Sequence, residues 1–233
     1  YSLTMSTISV KEIASRIQHT NVSPDATKKD IEKLCSEALK YGFSAVVINP
    51  IWVKHASELL KGTGVKVCVA LNYPMAGSKP LTKAVEIREA IADGCEEIDF
   101  MINVGYLKSG MVDEFRRDVE TVVEAADGRI VKAILETAIL SEEEVRLAAR
   151  ICEEEGVNYV KNSSGWGKGG PATVEVVKLL RSSVSKRVGV KASGGIRDFA
   201  TAVKLVEAGA DLLGTSRGVQ IVTGEKDSGE VSY

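Results

Sequence analysis

The chain has 233 residues, of which 44% are hydrophobic and 27% charged, enough for one large core or two small ones. Its 30 basic and 32 acidic residues leave a formal net charge of -2, without the basic face that nucleic-acid binding requires. No run approaches the ~18 apolar residues of a membrane span, so neither nucleic acid nor membrane is an expected partner.

The opening stretch "YSLTMSTISV" has no basic region followed by an apolar core, so no secretory signal is expected. Cys35, Cys68, Cys95 and Cys152 form no C-x-x-C pair and read as buried thiols of a reducing, cytoplasmic compartment. Residues 1–9 read as an N-terminal extension and 10–222 as one domain. The polar run "TGEKDSGEVSY", 223–233, reads as a mobile tail.

Short apolar, β-branched runs recur along the chain. The first, "IQHT" (17–20), precedes the helical segment "KKDIEKLCSEALKYG". "SAVVIN" (44–49) and "VKVCVAL" (65–71) follow. In "PLTKAVEIREAIADG", Leu81, Ala84, Val85, Ile87, Ala90 and Ile91 keep a period near 3.6, and Gly94 is expected to cap the end. "EIDFMIN" (97–103) and "IVKAILE" (130–136) come next. "SEEEVRLAARICEEEG" opens on Ser141 as a cap, places acid at the positive helix end and stops at Gly156. "NYVKN" (158–162), "RVGVKAS" (187–193) and "DLLGT" (211–215) complete the series, with "TAVKLVEAGAD" stopping at Gly209 before the last. Eight strands alternating with helices in a chain of this size predict a single-domain α/β fold, the (β/α)8 TIM barrel. An open doubly wound sheet is disfavoured because no G-x-G-x-x-G follows the first strand.

In such a barrel the chemistry sits where strands end. Asp99, Lys161 and Lys191 are charged residues near the ends of otherwise apolar strands, with Lys132 nearer the start of its own. Unpaired charge inside a barrel needs a partner or shifts its pKa. An internal ion-pair cluster is the bland reading for any one of them; two lysines and an aspartate converging on one rim point to a nucleophile. A lysine amine attacks a carbonyl only when neutral. Lowering its pKa from about 10.4 to about 7 takes ~4.6 kcal/mol. A second ammonium ~4 Å away supplies about 4 kcal/mol at an effective dielectric of ~20. Lys161 is thus the candidate nucleophile, Lys191 its perturber and Asp99 the proton shuttle, although by spacing alone the lysines could exchange roles.

A metal site is not expected. The two histidines, His19 and His55, have no ligand spacing; His19 reads as a hydrogen-bonded residue and His55 as a helix-face residue. "KASGGIRD" and "LLGTSRG" end the last two strands and place small residues before helices. Gly194, Gly195, Gly214, Thr215 and Ser216 are therefore phosphate candidates, with Arg197 and Arg217 adding charge.

These motifs together, with "SPDAT", "YLKSG", "ILET" and "YVKNSSGWGKGG", resemble the deoxyribose-phosphate aldolase family over about residues 17–222. The resemblance implies a class I aldolase on a (β/α)8 barrel. It would cleave 2-deoxy-D-ribose 5-phosphate reversibly to acetaldehyde and D-glyceraldehyde 3-phosphate, without cofactor or metal. It implies Lys161 as the Schiff-base lysine, Lys191 as its neighbour, Asp99 as the relay acid and Ser164 with the glycine loops as substrate contacts. Tyr233, the last residue, matches a tail tyrosine that assists proton transfer in some members. Small phosphosugars and aldehydes are the implied partners, in a homodimer or homotetramer. Gln18 stands where the family usually has an acid, Ser23 where it has a lysine, and Asn162 and Trp166 also depart from its pattern. An aldolase for another phosphosugar, or a non-catalytic phosphosugar-binding barrel, stays open on these residues.

Overall fold

The computed structural model describes residues 7–226. Eight parallel strands close in chain order: β1 Ile17–Asn21, β2 Ala45–Ile48, β3 Lys66–Leu71, β4 Glu97–Met101, β5 Ile130–Ile134, β6 Tyr159–Lys161, β7 Gly189–Ser193 and β8 Leu212–Thr215. Closure is made by β1 against β8, with Gln18 beside Gly214 and His19 beside Thr215. The barrel predicted from the strand–helix alternation is therefore the fold observed, and the open sheet is not.

Alternation along each strand separates two apolar regions. Val46 and Ile48 pack outward under the helices, whereas Ala45, Val47, Cys68, Ala70 and Val22 form a smaller cluster inside the barrel. The outer layer comprises α2 Lys28–Tyr41, α3 Val53–Leu60, α4 Pro80–Ala92, α6 Val112–Ala126, α7 Glu142–Glu154, α8 Val174–Ser183 and α9 Phe199–Ala208. The short helices α5 Val104–Lys108 and α10 Gly218–Thr223 follow β4 and β8.

Local chemistry sets the helix limits. Ser141 and Glu144 form a reciprocal cap at the start of α7, and Thr27 with Asp30 does the same for α2. Gly209 ends α9 at φ 123°. The expected cap at Gly94 falls one residue late: α4 ends at Ala92 with Asp93 as its C-cap, and Gly94 follows at φ 108°, pressed against Ser57.

One helix was not expected. Residues Val10–Arg16 form α1, capped by Ser9, whose side chain accepts from the Glu12 N–H. Its Ile13 and Ala14 are buried, and Arg16 donates to the Asp211 carbonyl ahead of β8. With three apolar positions in seven, the segment is too short for its period to stand out. Residues 1–6 of the predicted extension, and the tail from 227 through Tyr233, lie outside the described residues.

Candidate active site

The strand register brings the charged residues to one level. Asp99 pairs with Lys132 across β4–β5, and Lys161 pairs with Lys191 across β6–β7. All four are almost wholly buried in the barrel. Asp99 is their hub: Oδ1 accepts from Lys132 at 3.0 Å, while Oδ2 accepts from Lys161 at 3.2 Å and Lys191 at 2.8 Å. Both lysine nitrogens meet the same oxygen, so their separation cannot exceed the sum of those two distances. The two amines therefore lie close together, on one carboxylate oxygen.

Three residues extend this network. Lys132, set apart in the sequence argument as nearer its strand's start, belongs to it fully and also pairs with Glu97 at 2.6 Å. Gln18 donates to Glu97 at 3.0 Å and accepts from Lys191 at 2.6 Å. Cys68 places its thiol between Asp99 and Lys132. Glu97 was hidden in the sequence because the first residue of a strand is usually solvated.

Burial alone would raise the Asp99 carboxyl, but Lys132, Lys191 and Lys161 hold it well below the usual carboxylate range. Burial opposes charge on Lys132 as well, and Asp99 with Glu97 more than compensates, so its ammonium is held well above the ordinary lysine value. Lys191 goes the other way. Burial lowers it, Lys161 and Lys132 push in the same direction, and together they outweigh Asp99. The amine depressed in this way is Lys191, the residue assigned as perturber, and burial is the main cause. Burial also raises the Cys68 thiol far enough to keep it protonated.

The segment after Lys161 is stitched to its neighbours. Asn162 donates to the Ser193 carbonyl at 2.9 Å and accepts from the Ser193 N–H at 2.8 Å, tying the ends of β6 and β7. Glu136, just past β5, was quoted in the sequence only as part of a motif. Its carboxylate accepts from the Ser164 N–H at 2.5 Å, the Ser164 hydroxyl at 3.1 Å and the Lys168 N–H at 3.1 Å. The Ser164 hydroxyl also accepts from the Trp166 and Gly167 N–H groups. Ser164 therefore builds the loop, and its polar atoms are occupied inside the protein.

The phosphate candidates divide. Gly214 and Thr215 lie within β8, not in a turn, because closure with β1 extends the strand through them. The Thr215 hydroxyl donates to the Ile196 carbonyl and accepts from the Arg217 N–H, linking two loops. Asp198 caps α9 by accepting from Thr201, so that helix start already holds a carboxylate. Arg197 is exposed and faces a groove shared with Arg217 between α9 and α10. Gly194 and Gly195 adopt φ 96° and 72° in the turn after β7, where a Cβ at 194 would come within 2.8 Å of the Gly170 carbonyl. Ser216 lines a cavity of about 370 Å³ at the end of β1, together with Thr20, Asn21, Lys33 and Trp166. The Ser216 hydroxyl and the Trp166 indole N–H are buried with no hydrogen-bond partner among the described residues. Both residues line the cavity, while these two atoms themselves have almost no exposed surface. The indole also packs on the apolar inner wall.

His19 bonds Glu37 at 3.1 Å through Nε2 beside Phe43, while its buried Nδ1 has no hydrogen-bond partner among the described residues, and His55 bonds Glu32. Among the described residues no group of three or more His, Cys, Asp or Glu is placed to hold a metal ion, and no helix is long and apolar enough to cross a membrane.

The chain can be compared with known proteins on this geometry. The model of the DeoC/LacD family aldolases matches residues 15–224. The chain is 49% identical over 213 residues to the deoxyribose-phosphate aldolase of Brevibacillus brevis, covering 91% of this chain and 96% of that protein. It is 49% identical over 214 residues to that of Methanothermobacter thermautotrophicus, covering 92% and 95%. The tetrameric deoxyribose phosphate aldolase of Aeropyrum pernix superposes with a TM-score of 0.85 at 33% identity, over 92% of this chain and 91% of that one. The chain belongs to the DeoC/LacD family of aldolases.

Proposed function

We propose that this enzyme reversibly cleaves 2-deoxy-D-ribose 5-phosphate to acetaldehyde and D-glyceraldehyde 3-phosphate through an imine on Lys161. The observation that carries the reading is the shared oxygen: Lys161 and Lys191 both donate to Asp99 Oδ2 inside a closed barrel. The reading also rests on family membership and on the names of relatives at 49% identity.

The neutral Lys161 amine adds to the substrate aldehyde carbon, and loss of water from the carbinolamine gives an iminium. The bond between the second and third carbons then breaks. Its electrons move toward the iminium and form an enamine, and the third carbon's hydroxyl loses its proton as glyceraldehyde 3-phosphate departs. Protonation of the enamine and hydrolysis release acetaldehyde and restore the amine. Lys161 is favoured as nucleophile because it is the last residue of β6 and makes the longest of the three ammonium contacts to Asp99. Lys191 lies deeper in its strand, held by both Asp99 and Gln18. Asp99 Oδ2 gives the proton a route between the two amines.

Gly194, Gly195 and Ser216 are the proposed phosphate contacts, with Trp166 donating to a substrate oxygen. Arg197, Thr215 and Gly214 support those loops, and Ser164 shapes the one opposite. The tail tyrosine, Tyr233, keeps its proposed assisting role from family resemblance alone. Assembly as a homodimer or homotetramer belongs to the same reading. It is supported by the tetrameric relative and by exposed apolar side chains at Ile51, Met75 and Leu81.

Borohydride reduction in the presence of acetaldehyde, followed by peptide mapping, tests the reading. A reduced ethyl adduct on Lys161 is expected, and Lys161→Ala should lower turnover by about three orders of magnitude or more. An adduct on Lys191 would exchange the two roles. No adduct on either lysine would overturn the mechanism.

A further inference from the structure

Among the described residues, three lysines, Lys132, Lys161 and Lys191, meet two carboxylates, Glu97 and Asp99, in the inner barrel. Lys132 touches both carboxylates, and Lys161 and Lys191 share Asp99 with it. At the point where Lys191 reaches β1 it meets a neutral group. Gln18, itself fully buried, presents its amide oxygen 2.6 Å from the Lys191 amine and turns its amide nitrogen to Glu97 and to Ser44. We infer that Gln18 is a positioning residue whose lack of charge sets the pH at which the lysine pair gives up a proton. The inference rests on the imine chemistry proposed above.

The argument is one of charge balance in a buried site. The ionisable groups facing Lys191 come from four strands: Asp99 and Glu97 on β4, Lys132 on β5, Lys161 on β6 and the Cys68 thiol on β3. Tyr159, beneath Lys161 on β6, faces Glu97 and Lys132. Among the described residues, the neutral polar side chain in direct contact with the amine is Gln18, from β1. A carboxylate there would put a negative charge against the Lys191 amine and hold its proton more tightly. An apolar side chain would remove an acceptor from the ammonium and loosen it. The amide is the intermediate setting: it orients Lys191 toward Asp99 without cancelling the charge that makes a neutral amine accessible. Because the amines share an oxygen, a change of charge at Lys191 is felt at Lys161 and read in the rate that depends on it.

The test is a graded series, Gln18→Met, wild type and Gln18→Glu, in which kcat/KM for 2-deoxyribose 5-phosphate cleavage is followed against pH. The acidic limb should rise in that order, with Gln18→Glu at least one pH unit above wild type. Relative to its own plateau, Gln18→Glu should lose about tenfold in activity at a pH one unit below its limb. A loss caused only by misplacement would lower the whole profile without moving the limb. The side-chain 15N signal of Lys191, followed across the same pH range, reads its proton without turnover and should show the same order. It separates this inference from the proposed reaction: absence of a borohydride adduct in wild type would sink the reaction, while the signal still tests Gln18. Should Gln18→Glu fail to fold, Gln18→Met alone must move the limb and the signal downward. Coincident limbs and coincident 15N midpoints in folded variants, or the reverse order, would overturn the inference.

Discussion

Glu136 sits at φ 57°, in the left-handed region, and is nearly buried. That backbone costs a non-glycine residue on the order of 1–3 kcal/mol, so the surroundings must hold it. Its carboxylate gathers the loop after β6, and the loop's glycines make room for it. A Cβ at Gly167 would lie 2.6 Å from Glu136 Oε2, and one at Gly169 would overlap both the Glu136 carboxylate and the Ser163 hydroxyl. Gly169→Ala should therefore displace the loop that carries Ser164 and Trp166. The expected result is a KM for the phosphorylated substrate raised about tenfold or more, with a smaller change in kcat, measured by steady-state kinetics. At this scale the sequence was legible where chemistry is unusual. A lysine inside an apolar run stands out, and so did Asp99, Lys161 and Lys191. Glu136 and Glu97 did not, because an acid at a strand boundary looks like any solvated acid until a partner across the barrel is known. Thr215, named from its place beside a glycine, and Ser164, named from family resemblance, both have hydroxyls that bond within the protein, a pairing that is set by loops distant in sequence.

Helix α4 is tied to α6 and β4 by a second buried ion pair. Lys83 donates to Asp118 at 2.7 Å and to the Met101 carbonyl at 2.8 Å, with both side chains fully buried. Burial lowers the Lys83 ammonium and raises the Asp118 carboxyl, so each ion depends on the other to remain charged. Removing one partner by Lys83→Met or Asp118→Asn should cost about 3–5 kcal/mol, because the other is left uncompensated. Urea denaturation of the two single variants and the double variant measures this. The double variant should be less destabilised than the two single losses added together. The helices themselves were readable from their period and caps, since Ser141, Thr27 and the terminal glycines act locally. Helix α1 was not, and the limit of α4 was off by a residue, because packing of Gly94 on Ser57 lies outside the segment that reports it.

The whole barrel is stabilised by a charged interior, and its response to pH follows. The folded-state pKa values of Asp99 and Glu97 are depressed by their lysine partners. Their contribution is complete above the unfolded carboxylate values of about 3.9 and 4.3, and it is lost as pH falls through the folded values. Lys132 is raised, so its contribution is complete below about 10.4 and is lost as pH rises through its folded value. Lys191 is lowered and works against folding while protonated, which offsets part of the gain at neutral pH. Stability should therefore fall steeply below about pH 4, where the unfolded chain binds more protons than the native one. Asp99→Asn should flatten that slope in urea midpoints measured between about pH 2 and 5. The architecture was legible at this scale because alternating strands and helices admit few closures. The sharing of one carboxylate by three lysines was not, since it depends on register between strands distant in sequence.

The pairing of β1 with β8 has a further consequence, for synthesis. The first strand to leave the ribosome must wait for the last before its second neighbour exists, and Gln18 and Lys191 are 173 positions apart. Until residues 212–215 emerge, the nascent sheet carries two bare edges, one on each flank, of the kind that recruit foreign strands. A message truncated just before β8 would thus leave an unclosed, sticky cylinder.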